Sequence, residues 1–409
     1  MTKTRGLVAL TIAAALPGPA LRLTETHLGT VPDTMLFGLT IVAAAFLLSW
    51  AAEAAEVDIS QGLAVAFIAL IAVLPEYAVD MTFAWKAGQD PEFAPYAVAN
   101  MTGANRLLIG LGWPLVVGLF WFRTKSRRIL LDGDHAVAVV ALSIATIYSF
   151  TIPLTGAVGL YDTLVLLVIF VGYVYVIAQA PAEEPELVGP ARSIGSLPRR
   201  QRRVTIAALF LFSAATILAS AEPFAEGLVE SGGILGVDEF LLVQWVAPLA
   251  SEAPEFLIAG ILAFRGRGAV AIGVLLSSKV NQWTLLVGGL PVAYGLSAGS
   301  MGGLPLDDRQ ALEILLTAAQ SAFAVALLIS LSLSTRQAVL LFALFAVQFA
   351  IPTTAVRIVI SVIYIVLTVG IVVAKRASLP TLMRTARRVY RLPDGAAQPD
   401  DAEAASGNG

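Results

Sequence analysis

Apolar positions in this chain form long continuous runs, rich in Leu, Ala, Val and Ile, and the polar positions are collected into short segments between them. Most of the runs reach the ~20 residues that a helix needs to cross the hydrocarbon core of a bilayer. They lack the two-residue alternation of membrane β-barrel strands. The pattern predicts an all-α, polytopic membrane protein with about twelve transmembrane helices, at 6–22, 34–56, 61–87, 93–121, 135–152, 158–179, 204–230, 237–264, 268–294, 309–332, 336–351 and 354–374.

The predicted helices form two halves, with one additional helix at each end. The N-terminal segment has a basic start and a short apolar core, as a secretory signal peptide has. We favour an uncleaved, signal-anchor-like first helix, because multi-pass proteins often insert through such a segment. The tail begins basic, and its part at 375–391 is predicted to form a helix on the membrane surface that anionic lipid attracts. Its acidic end cannot bury a core and is predicted to be disordered. The predicted units are 1–33 (N-terminal helix), 34–179 (first half), 180–203 (polar linker), 204–351 (second half), 352–375 (C-terminal transmembrane helix) and 376–409 (basic, then acidic, disordered tail).

The composition excludes several classes of function. The 409 residues are 57% hydrophobic and only 13% charged, and the mean hydropathy is +0.81, whereas about a quarter of a soluble domain is charged. The chain has no cysteine, which excludes disulfides, thiolate metal sites and a cysteine nucleophile. It also lacks a Walker loop, an HExxH motif and a Ser/His/Asp set within the spans, so neither enzymatic activity nor ATP-driven transport is predicted. Transport would run on an ion gradient, without a cofactor and without a nucleic-acid partner.

Lysine and arginine residues of the short loops fall on one side of the membrane when the predicted helices are followed in order. Loops on the other side are acidic or neutral, with Lys86 as the main exception. Because cytoplasmic loops carry the excess of Lys and Arg, we expect both termini and the linker in the cytoplasm, and the chain in the inner or plasma membrane. The basic positions are Lys3, Arg5, 123–128, 199–203, Arg265, Arg267, Arg336 and the start of the tail.

A short sequence pattern occurs twice. The first copy is VLPEYAVDMTFAWKAG, from Val73, and the second is EAPEFLIAGILAFRG, from Glu252; the Pro-Glu pairs are Pro75-Glu76 and Pro254-Glu255. A second helix follows each copy, TGANRLLIGLGWP or SKVNQWTLLVGGLP, with an Asn and then a Gly-x-Pro end. By helix count the first Pro-Glu helix runs outward and the second inward, so the two five-helix halves are inverted repeats. Secondary transporters build one midplane site from such repeats and their interrupted helices.

Carboxylates lie within the predicted spans of both copies. Glu76 and Asp80 are four residues apart, and Glu252 and Glu255 are three apart, so each pair shares one helix face. Together with Lys279, these groups would cost on the order of 10 kcal/mol if they faced lipid, so they are expected to face one another or a wet cavity. Metal cations, protons or the ammonium of Lys279 can compensate such a cluster.

The prolines and the small residues of the motifs are compatible with a cation site. Pro75 and Pro254 cannot donate to the carbonyls four residues earlier, and freed carbonyls are tolerated at membrane depth where they line a cavity. Carboxylate, carbonyl and Asn amide oxygens are the ligands of hard cations such as Na⁺ and Ca²⁺. Small residues such as Ser251 let a neighbouring helix approach closely.

The two motifs resemble those of the sodium/calcium exchanger superfamily of cation antiporters, over roughly residues 34–351. That family carries Gly-Thr-Ser-x-Pro-Glu on one helix and Gly-Asn/Asp-x-x-Gly-Ser-Asn on the next. The resemblance implies that Glu76 and Glu255 are the glutamates that bind the metal cation. It also implies that Asn100 is the first polar ligand of the second motif and that Asn105 is its last residue.

The second copy departs from the pattern of that family. Asn281 is kept, but Lys279 stands where the family has Gly, and Glu252 stands where it has Ser. Leu276 stands where Asn or Asp is expected, unless the neighbouring Ser277 takes that role. These differences bear on the identity of the ion more than on the fold.

We interpret the chain as a secondary cation antiporter that exchanges Na⁺ or Ca²⁺ by alternating access, with exchange against protons favoured. Its partners would be inorganic cations and the lipid bilayer. The alternative is a transport-inactive membrane protein that keeps the exchanger fold for a scaffold or sensing role. The predicted cation ligands are Glu76, Glu255, Asn100, Glu252, Asp80 and Ser277, and the predicted modulating residues are Lys279, Asn105, Asn281, Pro75, Pro254 and Ser251.

Several of these residues have a structural interpretation beside the functional one. Asp80 could sit at a vestibule, and Arg106 is expected to snorkel or to pair with Asp80 instead of touching a substrate. Asn105 and Asn281 could only tie helices together. Lys279 is either a fixed counter-charge, paired with Glu252, or a group that titrates.

Overall fold

The computed structural model describes residues 2–58, 73–179 and 187–391. Its helices are α1 (Thr2–Ala15), α2 (Pro17–Thr24), α3 (Thr30–Ala55), α4 (Leu74–Gln89), α5 (Ala94–Leu107), α6 (Trp113–Thr124), α7 (His135–Ser149), α8 (Ile152–Thr155), α9 (Leu160–Ile177), α10 (Pro190–Gly195), α11 (Arg199–Leu235), α12 (Glu239–Ser251), α13 (Ala253–Phe264), α14 (Gly268–Asn281), α15 (Val287–Ala298), α16 (Asp308–Leu328), α17 (Thr335–Ala350), α18 (Thr354–Ala374) and α19 (Leu379–Arg391). The strands are β1 (Arg128–Leu130), β2 (Ala157–Val158), β3 (Leu304–Pro305) and β4 (Ser332–Ser334). Pro91–Phe93 and Arg376–Ser378 are 3₁₀ turns, and Leu108–Gly112 and Gln282–Leu286 are π-helical turns.

The helices have the dimensions of a multi-pass membrane protein. Among the described residues, nine helical segments are long and apolar enough to cross a membrane, and the bent pair α12–α13 makes ten when it is counted as one span. The predicted helix at 61–87 is described only from Leu74 onward, because 61–72 lie outside the described residues. The all-helical membrane class is confirmed, and the number of twelve spans stays a prediction.

The boundaries of the linker and the tail differ from the predicted ones. Part of the predicted linker is helical, since α10 lies within it and α11 begins at Arg199 rather than at 204. The reason is local: Arg202 donates to the carbonyl of Gly195 at 3.0 Å and pairs with Asp58 at 2.7 Å, which fixes the basic cluster onto the bundle. The hydrogen bond from Arg202 also holds the pKa of the Asp58 carboxyl below its usual range.

The predicted disordered tail begins with a helix. Leu382 of α19 is buried against the bundle, and the helix contacts α7 and α9. The helix expected within 375–391 is therefore present, as α19, and an apolar side of this basic segment packs on other helices. Residues 180–186 and 392–409 lie outside the described residues.

Two small antiparallel ribbons link the halves of the chain. β1 pairs with β4, Arg128 opposite Ser334, and β2 pairs with β3, Ala157 opposite Pro305. α7 separates β1 from β2, and α16 separates β3 from β4, so the ribbons lie at opposite ends of the bundle. The π-helical turns also occupy corresponding places, each after an Asn-bearing helix and before a proline. Both features follow the predicted inverted repeat.

The helices of the two motifs interlock between the halves. α5 packs against α12, and α4 packs against α15. The approach is close at glycines: a Cβ on Gly103 would lie 1.7 Å from the carbonyl oxygen of Gln244, and a Cβ on Gly88 would lie 2.7 Å from that of Tyr294. Small residues permit such contact between membrane helices. Each motif helix therefore faces the opposite half across a narrow interface.

Candidate functional site

The residue before the Pro-Glu helix has the same backbone conformation in both motifs. Val73 has φ −90° and ψ 3°, and Glu252 has φ −94° and ψ 0°. A half-helix with proline in its first turn starts directly after each residue, and α12 and α13 meet at 57°. Proline has no N–H to donate within a helix and is favoured in its first turn, so the two Pro-Glu pairs begin equivalent half-helices.

Each of the two half-helices carries a glutamate near its N-terminus. Glu76 lies in the first turn of α4, and Glu255 lies in the first turn of α13. The free N–H groups and the dipole of a helix N-terminus favour negative charge. This arrangement helps to keep the two glutamates ionised at a depth where an isolated carboxylate is costly.

Most carboxylate oxygens of the two motifs are buried and lack a hydrogen-bond partner among the described residues. The exposed fractions are 3% for Glu76, 0% for Asp80 and 2% for Glu252, and Glu255 is half-buried. Within the part of the chain that the structure describes, both oxygens of Asp80 and of Glu252, Oε1 of Glu76 and Oε2 of Glu255 have no hydrogen-bond partner. An unsatisfied buried acceptor costs ~1–3 kcal/mol, and a charged one costs more. These oxygens therefore have unused capacity to bind a cation or a proton.

The four carboxylates lie near one another, but among the described residues they do not form a complete metal-binding site. Glu76 is close enough to Glu252, Asp80 and Glu255 for mutual electrostatic repulsion. Within the described residues, no group of three acidic or histidine side chains is arranged so that it could hold a metal ion. A cation bound in this conformation would take part of its coordination from amide or carbonyl oxygens.

Two amide side chains border the carboxylates. Asn100 is fully buried and faces Asp80, yet neither its Oδ1 nor its Nδ2 has a hydrogen-bond partner within the described ranges. Gln282, which the sequence analysis did not select, is also buried and faces both Glu76 and Glu252. The sequence signal for Gln282 was its place, directly after the Asn of the second motif.

Lys279 lies between the repeats and does not bond to Glu252. Its Nζ donates to Asn105 Oδ1 at 2.5 Å, lies 3.5 Å from the Asn105 carbonyl oxygen and sits 4.4 Å from the centre of the Trp283 ring. Glu252 and Glu76 act on the ammonium only through space. A direct Lys279–Glu252 pair, which one of the two open interpretations of Lys279 required, is therefore absent, because Lys279 points across to α5.

The remaining predicted residues mainly connect helices. Asn281 Oδ1 accepts a hydrogen bond from the Tyr77 hydroxyl at 3.1 Å, which joins the two motifs. Ser277 Oγ accepts one from the Tyr173 hydroxyl at 3.2 Å and so faces α9. Ser251 Oγ bonds to carbonyl oxygens of its own helix at 3.3 Å.

Arg106 belongs to a buried ion-pair network that the sequence analysis did not find. Its guanidinium pairs with Glu313 at 2.5 Å, and Arg357 pairs with the same carboxylate at 2.7 Å. Gln244 also donates to Glu313, at 3.1 Å. The expectation that Arg106 snorkels or pairs with Asp80 is wrong, because a carboxylate on α16 reaches it within the protein.

A signal for this network was present in the sequence. Glu313 and Arg357 are charged residues within predicted spans, where charges are expected to be functional or paired. Their pairing across α5, α16 and α18 could not be derived, since they lie outside the repeated motifs.

Lys86 is paired as well. This exception to the charge pattern of the loops forms ion pairs with Glu226 and, at 3.3 Å, with Glu222 on α11. Arg22 pairs with Glu222 at 2.8 Å. The cluster joins α2, α4 and α11 near the end of the bundle opposite to Arg202, and it compensates a basic residue on the otherwise acidic or neutral side.

Comparison with known proteins agrees with this architecture. The family model described as sodium/calcium exchanger protein matches residues 34–179 and 205–354. The crystal structure of the H⁺/Ca²⁺ exchanger CAX is 46% identical in sequence, covers 95% of this chain and 98% of that chain, and superposes with a TM-score of 0.91. Among curated protein sequences, none matches this chain significantly.

More distant structures share the fold. Native YfkE is 13% identical, covers 87% of this chain and 99% of that chain, and has a TM-score of 0.60. The sodium-calcium exchanger NCX_Mj is 16% identical, covers 79% of this chain and 98% of that chain, and has a TM-score of 0.51.

Proposed function

Because the chain belongs to the sodium/calcium exchanger family, we propose that it is a secondary antiporter that exchanges Ca²⁺ for protons by alternating access. One observation carries the proposal: two inverted repeats bring carboxylates, most of whose oxygens have no hydrogen-bond partner among the described residues, to the starts of equivalent half-helices. The 46% identical structure is that of an H⁺/Ca²⁺ exchanger, which favours Ca²⁺ over Na⁺ as the substrate.

Glu76 and Glu255 are the proposed principal ligands. They occupy equivalent first turns, and two carboxylates balance the two charges of one Ca²⁺. Asp80, Glu252 and Asn100 would complete the coordination with oxygen atoms, the ligands that Ca²⁺ prefers. Ser277 would join them only by leaving its hydrogen bond with Tyr173.

We infer proton coupling because most of these carboxylate oxygens have no hydrogen-bond partner among the described residues. A buried carboxylate is tolerated with a bound cation or a bound proton, and an ionised carboxylate without either is costly. Ca²⁺ and protons would therefore compete for the same oxygens, so that one leaves as the other arrives. Transport would need neither a cofactor nor an enzymatic step.

The proposed location is the cell membrane, with both termini in the cytoplasm. Basic segments that are distant in sequence gather at one end of the bundle, as the β1–β4 ribbon and the pairing of Asp58 with Arg202 illustrate. Lys375 also bonds to Ser330 there, at 2.9 Å. A basic end of this kind is typical of the cytoplasmic side.

Flux into proteoliposomes tests the proposal. Ca²⁺, Na⁺ and proton gradients are imposed separately on vesicles that contain the purified chain. We expect Ca²⁺ uptake that follows the proton gradient and does not follow a Na⁺ gradient. Uptake driven by Na⁺ alone would establish sodium coupling instead, and no uptake under any gradient would favour the transport-inactive alternative.

A further inference from the structure

We propose that Lys279 is a resident cation, which permanently fills one cation position beside the carboxylates and prevents Na⁺ from driving exchange. It would be a specificity-determining residue of the Ca²⁺/proton antiport proposed above, on which this inference rests. The Lys279 ammonium stays in place throughout the transport cycle, whereas the transported ion binds and is released.

The surroundings of Lys279 are those of a bound monovalent cation. Its Nζ has an amide oxygen of Asn105 at 2.5 Å and the backbone oxygen of the same residue at 3.5 Å. The face of the Trp283 indole lies 4.4 Å away, a position in which an aromatic ring attracts a cation. The carboxylates of Glu252 and Glu76 act on it through space. Each of these partners favours a positive charge at this point.

The position is present in only one of the two repeats. Gly103 matches Lys279 in the first motif, and a Cβ there would lie 1.7 Å from the carbonyl oxygen of Gln244. Helix packing therefore closes this place in the first repeat, whereas the second repeat holds an ammonium. The site is asymmetric although the backbone around it is symmetric.

Charge balance connects the Lys279 ammonium with the choice of the ion that is exchanged for Ca²⁺. For electroneutral replacement of one Ca²⁺, two Na⁺ ions must be bound together, and they need separate positions with oxygen ligands. Lys279 already occupies the position between the repeats and uses Asn105 Oδ1 as its acceptor. Protons need no such position, because they bind directly to the carboxylate oxygens. The structure thus favours exchange against protons.

The same contacts could serve only to hold α5 and α14 together, so the test uses ion selectivity rather than activity. Lys279→Gln keeps most of the length and a donor for Asn105 but removes the charge, and Lys279→Gly removes the side chain. Lys279→Arg retains the charge. Lys125→Gln is a matched control, since Lys125 is exposed and lies over the Trp121 ring at the far end of α6.

Two measurements are made on each variant: Ca²⁺ flux under a Na⁺ gradient, and thermal stability of the purified protein against Na⁺ concentration. Lys279→Gln and Lys279→Gly are expected to gain Na⁺-driven Ca²⁺ flux and Na⁺-dependent stabilisation. Removal of one nearby unit charge should favour Na⁺ binding by at least about tenfold, so Na⁺ should act on these two variants at concentrations at which wild type does not respond. Wild type, Lys279→Arg and Lys125→Gln should not respond to Na⁺.

Folded Lys279→Gln or Lys279→Gly that responds to Na⁺ no more than wild type would overturn the inference. When one of the two is not recovered folded, the other decides. The outcome is distinct from failure of the proposed function, which is judged on wild-type Ca²⁺ flux under a proton gradient. Should wild type carry no flux, Na⁺-dependent stabilisation of the variants still decides whether Lys279 fills a cation position.

Discussion

At the scale of single residues, the four carboxylates of the site fall into two kinds. Glu76 and Glu255 are equivalent in the two repeats and begin the two half-helices. Asp80 and Glu252 have no equivalent, because Ala259 and Val73 occupy the corresponding positions. A shared pair of glutamates is expected to bind the transported ion in both inward and outward states, whereas the unpaired carboxylates adjust the charge of each half separately.

Glu76→Gln and Glu255→Gln should each abolish transport without preventing folding. Glutamine keeps the volume but removes the charge, so the apparent Ca²⁺ affinity should fall by at least about tenfold. Without Ca²⁺ each variant should be as stable as wild type or more stable, because an uncompensated buried charge has been removed. Ca²⁺ flux and thermal unfolding with and without Ca²⁺ provide the measurements.

The control for this experiment is Glu92→Gln, on the exposed turn between α4 and α5, which should resemble wild type in both measurements. Normal flux in both Glu76→Gln and Glu255→Gln would show that the site lies elsewhere.

At the scale of helices, α5 holds the site in place through contacts on several sides. Gly103 lets it approach α12, Asn105 accepts the hydrogen bond from Lys279, and Arg106 ties it to α16. Consecutive residues of one helix thus point to different neighbours. A shift of α5 would disturb both repeats together.

Gly103→Ala should destabilise the protein. The new methyl group would meet the backbone of α12 at Gln244, which cannot move away as the end of a flexible side chain can, and overpacking typically costs ~1–3 kcal/mol. Gly118→Ala in α6 is the matched control, because a Cβ there meets nothing within 4 Å. Thermal unfolding compares them, and equal stability would show that the α5–α12 contact is looser than described.

Glu313→Gln should lower the stability of the protein more than the loss of an exposed ion pair does. It leaves the guanidinium groups of Arg106 and Arg357 buried without their carboxylate, and breaking a buried pair typically costs ~3–5 kcal/mol. Arg22→Gln removes a pair with Glu222 that is nearly half exposed, for which ~0–1 kcal/mol is expected. A comparison of unfolding temperatures tests the order, and similar losses in both variants would contradict it.

At the scale of the whole molecule, the inverted repeat appears in the backbone as well as in the motifs. The two ribbons, the two π-helical turns and the two half-helices that begin with a Pro-Glu pair occur as related pairs. Each ribbon joins one half to the other at one end of the bundle. The halves therefore meet along the site and at both ends, as alternating access around a central site requires.

Membrane orientation can be tested with single cysteines, because the chain has none of its own. Ser196→Cys, in the linker, and Gln89→Cys, at the end of α4, are both exposed in the structure. The distribution of basic loops predicts that an impermeant thiol reagent added to intact cells labels Gln89→Cys only. Ser196→Cys should react after the membrane is opened. Labelling of Ser196→Cys alone in intact cells would reverse the proposed orientation.

The amino-acid sequence by itself determined the membrane class, the repeat and the places where helices break. Long apolar runs leave few alternatives to transmembrane helices. A proline interrupts hydrogen bonding locally, so Pro75 and Pro254 could be interpreted without any distant contact. The resemblance of the motifs was sufficient to identify the family, since two inverted copies rarely coincide by chance.

Only the tertiary structure decided which polar groups meet. Spacing along a helix shows that Glu252 and Glu255 share a face, but it does not fix how that helix is rotated against its neighbours. For this reason the partner of Lys279 could not be decided from the sequence and is Asn105, and Arg106 reaches Glu313 rather than Asp80. Contacts between residues far apart in sequence depend on the packing of the whole bundle. A glycine such as Gly103, which lets a neighbouring backbone approach, can determine these contacts as much as a charged residue does.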